Sequence, residues 1–242
     1  MIRLPKTLEV AQATQFKYLP RHIGLMMDGN GRWAQRRGLS RLEGHRHGTQ
    51  NVRRVLDACS KHGIRVVTLY VFSTENWGRP KEEIDGFFEL LAQVIDRETD
   101  NFREQGVRLI HSGLLDGVPQ VLADKVSRAV ELTRENHDYI LNVAFNYGGR
   151  MEILRAVKTI LEEGVSPQAV SEELFDRHLF TAGLGDMDLV IRTGGDERLS
   201  NFFPWQAAHG LFYSTKTYWP DFDEDELVKA LTAYNRFFES RE

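Results

Sequence analysis

The feature that most constrains this chain is an alternation. Short apolar runs are separated by longer stretches whose apolar residues recur at helical spacing. The runs are "HIGLMM" (22–27), "RVVTLYVF" (65–72), "VRLIH" (107–111), "ILNVAF" (140–145) and "DLVIR" (188–192). Each reads as a buried strand. Between them, Val52, Val55, Leu56 and Cys59 fall at i, i+3, i+4 and i+7, and Ile84, Phe87, Phe88, Leu91, Val94 and Ile95 mark a longer helix over 81–104. Leu122, Val126, Ala129, Val130 and Thr133 form a third set, Ile153, Leu154, Val157, Ile160 and Leu161 a fourth, and Leu227, Leu231, Tyr234 and Phe238 a last. Strands alternating with helices predict an α/β fold with a mostly parallel central sheet covered on both faces. The apolar face of the 81–104 helix is wide for its length, which fits either core packing or the wall of a hydrophobic tunnel.

At 242 residues and 27% charged, the chain suits a soluble domain with a good core. Residues 1–20 are expected to form a loosely held leader and residues 21–242 a single domain. The net charge of −4 argues against nucleic-acid binding, but the charge is uneven. Eight arginines and two acids lie between Arg21 and Arg54, against seven acids and three bases between Asp221 and Glu242. A basic patch on an acidic chain points to a small anionic ligand. Cys59 is the only cysteine, so no internal disulfide forms, which fits the cytoplasm. No apolar run approaches a membrane span.

In open parallel sheets, ligands bind beyond the carboxyl ends of the strands. Four strand ends here run into polar clusters. The first delivers Asp28, Gly29, Asn30, Gly31 and Arg32, and the second Ser73, Glu75, Asn76 and Arg79. The fourth delivers Asn146, Tyr147 and Arg150, and the fifth Arg192, Arg198, Ser200 and Asn201. Glycines at 29 and 31 admit an anion to the backbone, and Arg32, Arg41 and His45 add charge-assisted bonds. A lone carboxylate, Asp28, sits beside phosphate when Mg2+ lies between them. Arg192, Arg198 and Ser200 suit a second anion. Two anion sites beside apolar walls predict two substrates, each a phosphate on a hydrophobic body. Arg36, Arg37 and Arg46 read as surface charges, and His22 and His47 as structural or solvated. Trp33, Trp77, Trp205 and Trp219 read first as packing. No P-loop or dinucleotide-binding glycine pattern is present, and one cysteine with scattered histidines does not make a zinc site.

The blocks "MMDGNGRWA", "GH" at 44–45, "TLYVFSTENWGRP", "LNVAFNYGGR", "DLVIRTGGDERLSNF" and "YWPDF" recur in order over roughly residues 20 to 222. This set resembles the cis-prenyltransferases, typified by undecaprenyl diphosphate synthase. The resemblance implies a central, mostly parallel sheet of about six strands surrounded by helices, and a homodimer. It implies that Asp28 holds Mg2+ on an allylic diphosphate and that Gly29, Asn30, Gly31, Arg32, Arg41 and His45 grip that diphosphate. Ser73, Glu75, Asn76 and Arg79 match the segment beside the reacting carbons, with Asp28 and Asn76 as the catalytic pair. Arg192, Arg198 and Ser200 match the site of the second diphosphate. Trp33, Val71, Phe87, Leu91 and Leu211 are the expected walls of the hydrophobic pocket.

Two departures stand out. Ordinary members carry a glutamate where this chain has Leu211, and a tyrosine where it has His209. They also end in an Arg-x-Gly motif, whereas this chain ends "NRFFESRE". Both changes fall on the acceptor half, so the favoured expectation is an irregular, head-to-middle coupling of the lavandulyl type, with dimethylallyl diphosphate as acceptor. Val71, where long-chain members tend to have a smaller residue, adds the expectation of a short product. The alternatives are a regular head-to-tail cis-polyprenyl or short-chain synthase using isopentenyl diphosphate, and a non-catalytic family subunit. A phosphatase with an aspartate nucleophile would want a carboxylate where Asn30 stands.

Overall fold

The computed structural model describes residues 16–241. Six strands form one sheet: β1 (His22–Met26), β2 (Val66–Ser73), β3 (Val107–Ser112), β4 (Tyr139–Tyr147), β5 (Leu189–Arg192) and β6 (Leu211–Ser214). Their order is β3-β4-β2-β1-β5-β6, and every neighbouring pair is parallel. Five of the strands coincide with the apolar runs. The sixth was not legible, because it is only four half-buried residues with no alternation to mark it. The helices are α1 (Asn30–Gln35), α2 (Arg41–Lys61), α3 (Lys81–Glu104), α4 (Gln120–Leu132), α5 (Gly149–Glu162), α6 (Glu172–Asp176) and α7 (Glu224–Glu239).

Local chemistry sets several boundaries. Ser40 and Glu43 form a reciprocal capping box at the start of α2: the Glu43 amide donates to Ser40 Oγ and the Ser40 amide to Glu43 Oε2. Pro80 stands immediately before α3, where its missing N–H costs nothing. Asp223 caps α7 through the Glu226 amide.

One sheet face packs Ile23, Leu25, Val67, Leu69 and Leu141 against Val55, Ala58 and Cys59 of α2 and Leu227, Ala230 and Leu231 of α7. On the other, Met26, Ala144, Tyr147 and Val190 meet Phe202 and Phe203. All five residues of β1 are buried, as expected of a strand covered on both faces. One polar line crosses this interior. His22 Nε2 lies 2.7 Å from Thr68 Oγ1, Asn142 Nδ2 donates to Thr68 Oγ1 at 3.2 Å, and Ser112 Oγ donates to Asn142 Oδ1 at 2.8 Å. It links β1, β2, β4 and β3.

Most of the expected leader, residues 1–15, lies outside the described residues. The rest of it is not loose. The Tyr18 amide donates to Asn235 Oδ1 at 2.9 Å, and the Tyr18 ring meets Phe238 of α7, with Phe16 packed on the same core. None of the described helices is long and apolar enough to cross a membrane.

Candidate active site

The chain leaves β1 toward β2 on one side and returns after β4 to place β5 on the other. This reversal makes the carboxyl ends of β1 and β5 the natural crevice. Met26 and Arg192 are register partners there, and Asp28 follows two residues on. The carbonyl of Asp28 accepts from Thr193 Oγ1 at 2.7 Å and from the Trp219 amide at 3.0 Å, which fixes the turn. Gly29 has φ 104, and a Cβ there would come within 2.5 Å of the Tyr218 ring. Only glycine fits both demands. The turn opens α1, whose first N–H groups have no intrahelical acceptor and suit an anion.

α1 is held close by α2 through two glycines one turn apart. A Cβ on Gly44 would lie 2.2 Å from the Asn30 carbonyl oxygen, and one on Gly48 would lie 2.3 Å from Asn30 Oδ1. Asn30 Nδ2 donates to the Met27 carbonyl at 3.0 Å, while its buried Oδ1 has no partner among the described residues.

Arg192 is the hub of the site. Its side chain is 5% exposed, and Nε and Nη2 lie 2.8 and 2.7 Å from Asp28 Oδ2. Nη2 also reaches Asp196 Oδ2 at 2.9 Å, and Nη1 donates to Ser200 Oγ at 2.7 Å and to the Arg198 carbonyl. The Arg198 side chain itself is 75% exposed and lines the cavity mouth. Ser200, Asn201 and Phe203 all have φ between 43 and 65, a left-handed run that non-glycine residues rarely adopt. Strain of this kind collects at functional sites.

The segment after β2 forms a single 3-10 turn, Thr74–Gly78, in which Asn76 Oδ1 accepts from the Ser73 amide at 3.1 Å. It is tied to the other strand ends. Asn201 Nδ2 donates to Glu75 Oε1 at 2.8 Å, and Trp77 Nε1 donates to Asn146 Oδ1 at 2.8 Å. Asn201 also accepts from the Arg150 and Gly149 amides. Glu83 joins two arginines at the rim, Arg41 at 3.1 Å and Arg79 at 3.4 Å. His45 stands inside this rim, its ring edge against Phe87. Burial, with help from Arg79, pushes its imidazole down to about 4 despite Glu83, so it is neutral at pH 7.

Below this polar mouth lies a cavity of about 1280 Å³. Asp28, Asn30, His45, Ser73, Glu75, Asn76, Arg79, Arg192, Arg198 and Ser200 line its upper part. Val71, Phe87, Leu91, Val94 and Ile95 line its walls, and it continues to Phe102, Leu109 and Val130. The two readings of the long helix are both true of α3. Ile84 and Phe88 are core, while Phe87, Leu91 and Val94 face the cavity.

Some expected residues stand elsewhere. Trp33 is not a cavity wall. It is buried with Nε1 on Asp221 Oδ1 at 2.7 Å and its ring under Arg37, because α1 turns that face toward the 219–221 turn. Leu211 is not one either. It begins β6 opposite Leu189 and packs on the core beside α7, three residues before Ser214, the partner of Arg192. That is roughly 10 Å of strand from the site. Nor does Val71 close the tunnel, because the cavity runs past it. Arg32 and Arg41 border the site without lining the cavity: Arg32 lies over the Tyr218 ring at 5.2 Å, and a Cβ on Gly194 would come 2.7 Å from its Nη2. Reasoning from the strand ends missed Thr193, Asp196, Gly44 and Gly48. The i, i+4 glycine pair in "GHRHG" was the one signal available for the last two.

Comparison with known proteins gives the site its context. Residues 26–241 match the family described as "Putative undecaprenyl diphosphate synthase". The chain is 44% identical over 220 residues to an isoprenyl transferase of Heliobacterium mobile, covering 89% of this chain and 85% of that one. It is 42% identical over 237 residues to an isoprenyl transferase of Oceanobacillus iheyensis, covering 96% and 94%. Among solved structures, it is similar to lavandulyl diphosphate synthase from Lavandula x intermedia in complex with dimethylallyl diphosphate, with a TM-score of 0.85, 32% identity and coverage of 89% and 95%. It is also similar to a probable undecaprenyl diphosphate synthase from Campylobacter jejuni, with a TM-score of 0.76, 30% identity and coverage of 90% and 95%. The chain belongs to the undecaprenyl diphosphate synthase family, the cis-prenyltransferases, and is a prenyltransferase enzyme.

Proposed function

We propose that this enzyme joins an allylic prenyl diphosphate to isopentenyl diphosphate head to tail and repeats the step to build a long chain. The observation that carries this is the cavity. At about 1280 Å³ it exceeds the sites of drug-sized ligands, and it runs along α3 to Phe102. A short product has no use for its far end.

In this reading the allylic diphosphate rests on the turn at Gly29–Gly31 and the start of α1, with His45 donating a neutral hydrogen bond and Arg32, Arg41 and Arg79 at the rim. Arg198 and Ser200 receive the second diphosphate, and Arg192 anchors the loop that presents them. When the C1–O bond of the allylic diphosphate breaks, its electron pair leaves with the diphosphate. Donors fixed in advance around that group stabilise the growing charge more than the ground state. The double bond of the second substrate then forms a bond to C1, and a proton is lost from the acceptor chain. Asn76 and Ser73 lie at the mouth where these carbons meet, and the tunnel holds the chain in line.

The residues fit Mg2+. The Asp28 side chain is 41% exposed, and its Oδ1 accepts no hydrogen bond among the described residues, which leaves one oxygen facing the mouth. One carboxylate plus substrate oxygens is the usual protein share of a Mg2+ site. When bound, the ion neutralises charge on the leaving diphosphate.

The irregular, head-to-middle reaction is the second reading. It is favoured by Leu211 in place of the family glutamate and by the similarity to lavandulyl diphosphate synthase. One set of incubations decides: allylic diphosphates of one, two and three isoprene units, each with isopentenyl or dimethylallyl diphosphate, followed by product identification. Turnover only with dimethylallyl diphosphate as acceptor overturns the regular reading.

We also propose a cytoplasmic homodimer. Cys59 is buried and free, as a reducing compartment allows. On α5, Leu154 and Leu161 are 61% and 69% exposed and Val157 is 40% exposed, an apolar stripe at i, i+3 and i+7 that a second copy would cover. Leu154→Lys with Leu161→Lys is expected to give a monomer in sedimentation.

A further inference from the structure

Below the mouth the tunnel wall is mostly apolar, with Thr99 and His111 among its polar exceptions, and it carries one buried charged cluster. Arg53 of α2 and Glu98 of α3 both line the cavity, three turns of helix beyond Phe87 and so about 16 Å from it along α3. Arg53 Nη2 reaches both carboxylate oxygens of Glu98, at 2.5 Å for Oε2, and Arg97 Nε donates to Oε1 at 2.8 Å. The Glu98 side chain is 7% exposed and that of Arg53 34%. Burial pushes the Glu98 carboxyl up, but the bonds from Arg53 and Arg97 outweigh it and hold it below the usual range.

Gln50 and Arg97 also line the cavity, and both are exposed to solvent. These exposed lining residues place the cavity close to the surface at the seam between α2 and α3, and the Arg53–Glu98 pair spans that seam. An ion pair is a costly choice for an apolar wall unless it is kept closed, because parting it leaves a buried carboxylate poorly compensated. A prenyl chain leaving sideways would have to part it. A chain that stays inside is directed on toward Phe102 and Leu109.

We propose that the Arg53–Glu98 pair is a latch on a lateral window of the tunnel, and that by keeping the growing chain inside it limits the length of the longest product. Both act as positioning residues, since neither reaches the reacting carbons. The inference rests on the elongation reaction proposed above.

The test is the product-length distribution from an allylic primer with excess isopentenyl diphosphate. Arg53→Met removes the latch but leaves Arg97 beside Glu98, so the carboxylate keeps a partner. Its longest product is expected to grow by at least one isoprene unit, while Arg53→Lys, which restores the charge, keeps the native distribution. A purely structural clamp would lower the melting temperature without lengthening the product. A folded, active Arg53→Met with native or shorter products overturns the latch alone. Should that variant not fold, Glu98→Gln, with the same shape, is read in the same way. No elongation by the native chain overturns the underlying reaction and the latch with it.

Discussion

Nε and Nη2 of Arg192 converge on a single oxygen of Asp28, at 2.8 and 2.7 Å. The buried guanidinium at the end of β5 thereby holds the Asp28 carboxylate in one rotation and leaves its second oxygen to the mouth. The same group fixes Ser200 and Asp196, so the two halves of the site share one cation.

Arg192→Lys keeps the charge but loses the fork that serves Asp28, Asp196 and Ser200 together. We expect kcat/KM to fall at least about 100-fold, equivalent to roughly 3 kcal/mol, with the fold intact by circular dichroism. Steady-state kinetics that stay within about threefold of native would remove Arg192 from its place as organiser.

Asn201 couples three strand ends while sitting at φ 65. Asn201→Gly relieves the backbone strain but cuts the tie to Glu75; Asn201→Ala cuts the same tie and keeps the strain. We expect both to raise KM and lower kcat, and only Asn201→Ala to lose substantial stability, about 1 kcal/mol or more relative to Asn201→Gly. Equal melting temperatures for the two would refute the strain assignment.

Gly48→Ala drives a methyl group to within 2.3 Å of Asn30 Oδ1 and 3.1 Å of Trp219. Overpacking of this sort costs typically about 1–3 kcal/mol. Because the displaced atom belongs to the α1 turn, affinity for the allylic diphosphate should drop together with stability. Unchanged binding in a calorimetric titration would show that α1 yields without disturbing the anion site.

His45 gives a pH signature with two opposite signs. Its folded-state pKa, about 4, lies below the ordinary value of 6.5, so the folded protein binds fewer protons than the unfolded chain and the stability it contributes is lost as pH falls from 6.5 through 4. A diphosphate placed against it favours the charged form and raises its pKa. Binding then takes up a proton, and affinity for diphosphate, corrected for the ligand's own titration, should rise as pH falls in that window. Arg79, Arg41 and Glu83 are the charged groups that face the ring. His45→Gln should flatten both slopes; a native slope in the variant would place the titration on another group.

The strand ends were readable because a parallel sheet turns sequence order into spatial convergence. Four polar clusters after four apolar runs had to meet at one edge, and Asp28, Asn76, Arg192 and Arg198 do. The family resemblance added roles that geometry alone did not supply. It misled where a residue's importance depends on which way its strand faces. Leu211 stands where the resemblance implies a functional residue, yet it packs half-buried on the core beside α7, and four residues of mixed polarity gave no hint of β6. Trp33 was likewise undecidable, since a six-residue helix has no periodicity from which to assign its faces. The Arg53–Glu98 pair was invisible for a simpler reason. Two charges forty-five positions apart look solvated until α2 and α3 are laid side by side.

The polar line from His22 through Thr68 and Asn142 to Ser112 has a consequence for the active site that it never touches. Strands apolar on both faces can slide by a residue pair without exposing anything, because no inward or outward pattern opposes the slip. A chain of four matched donors and acceptors does oppose it, since any slip leaves buried polar groups unanswered. The line acts as a key that locks the reading frame of β1, β2, β4 and β3. The alignment of Asp28, Asn76 and Asn146 at the far edge is inherited from that lock.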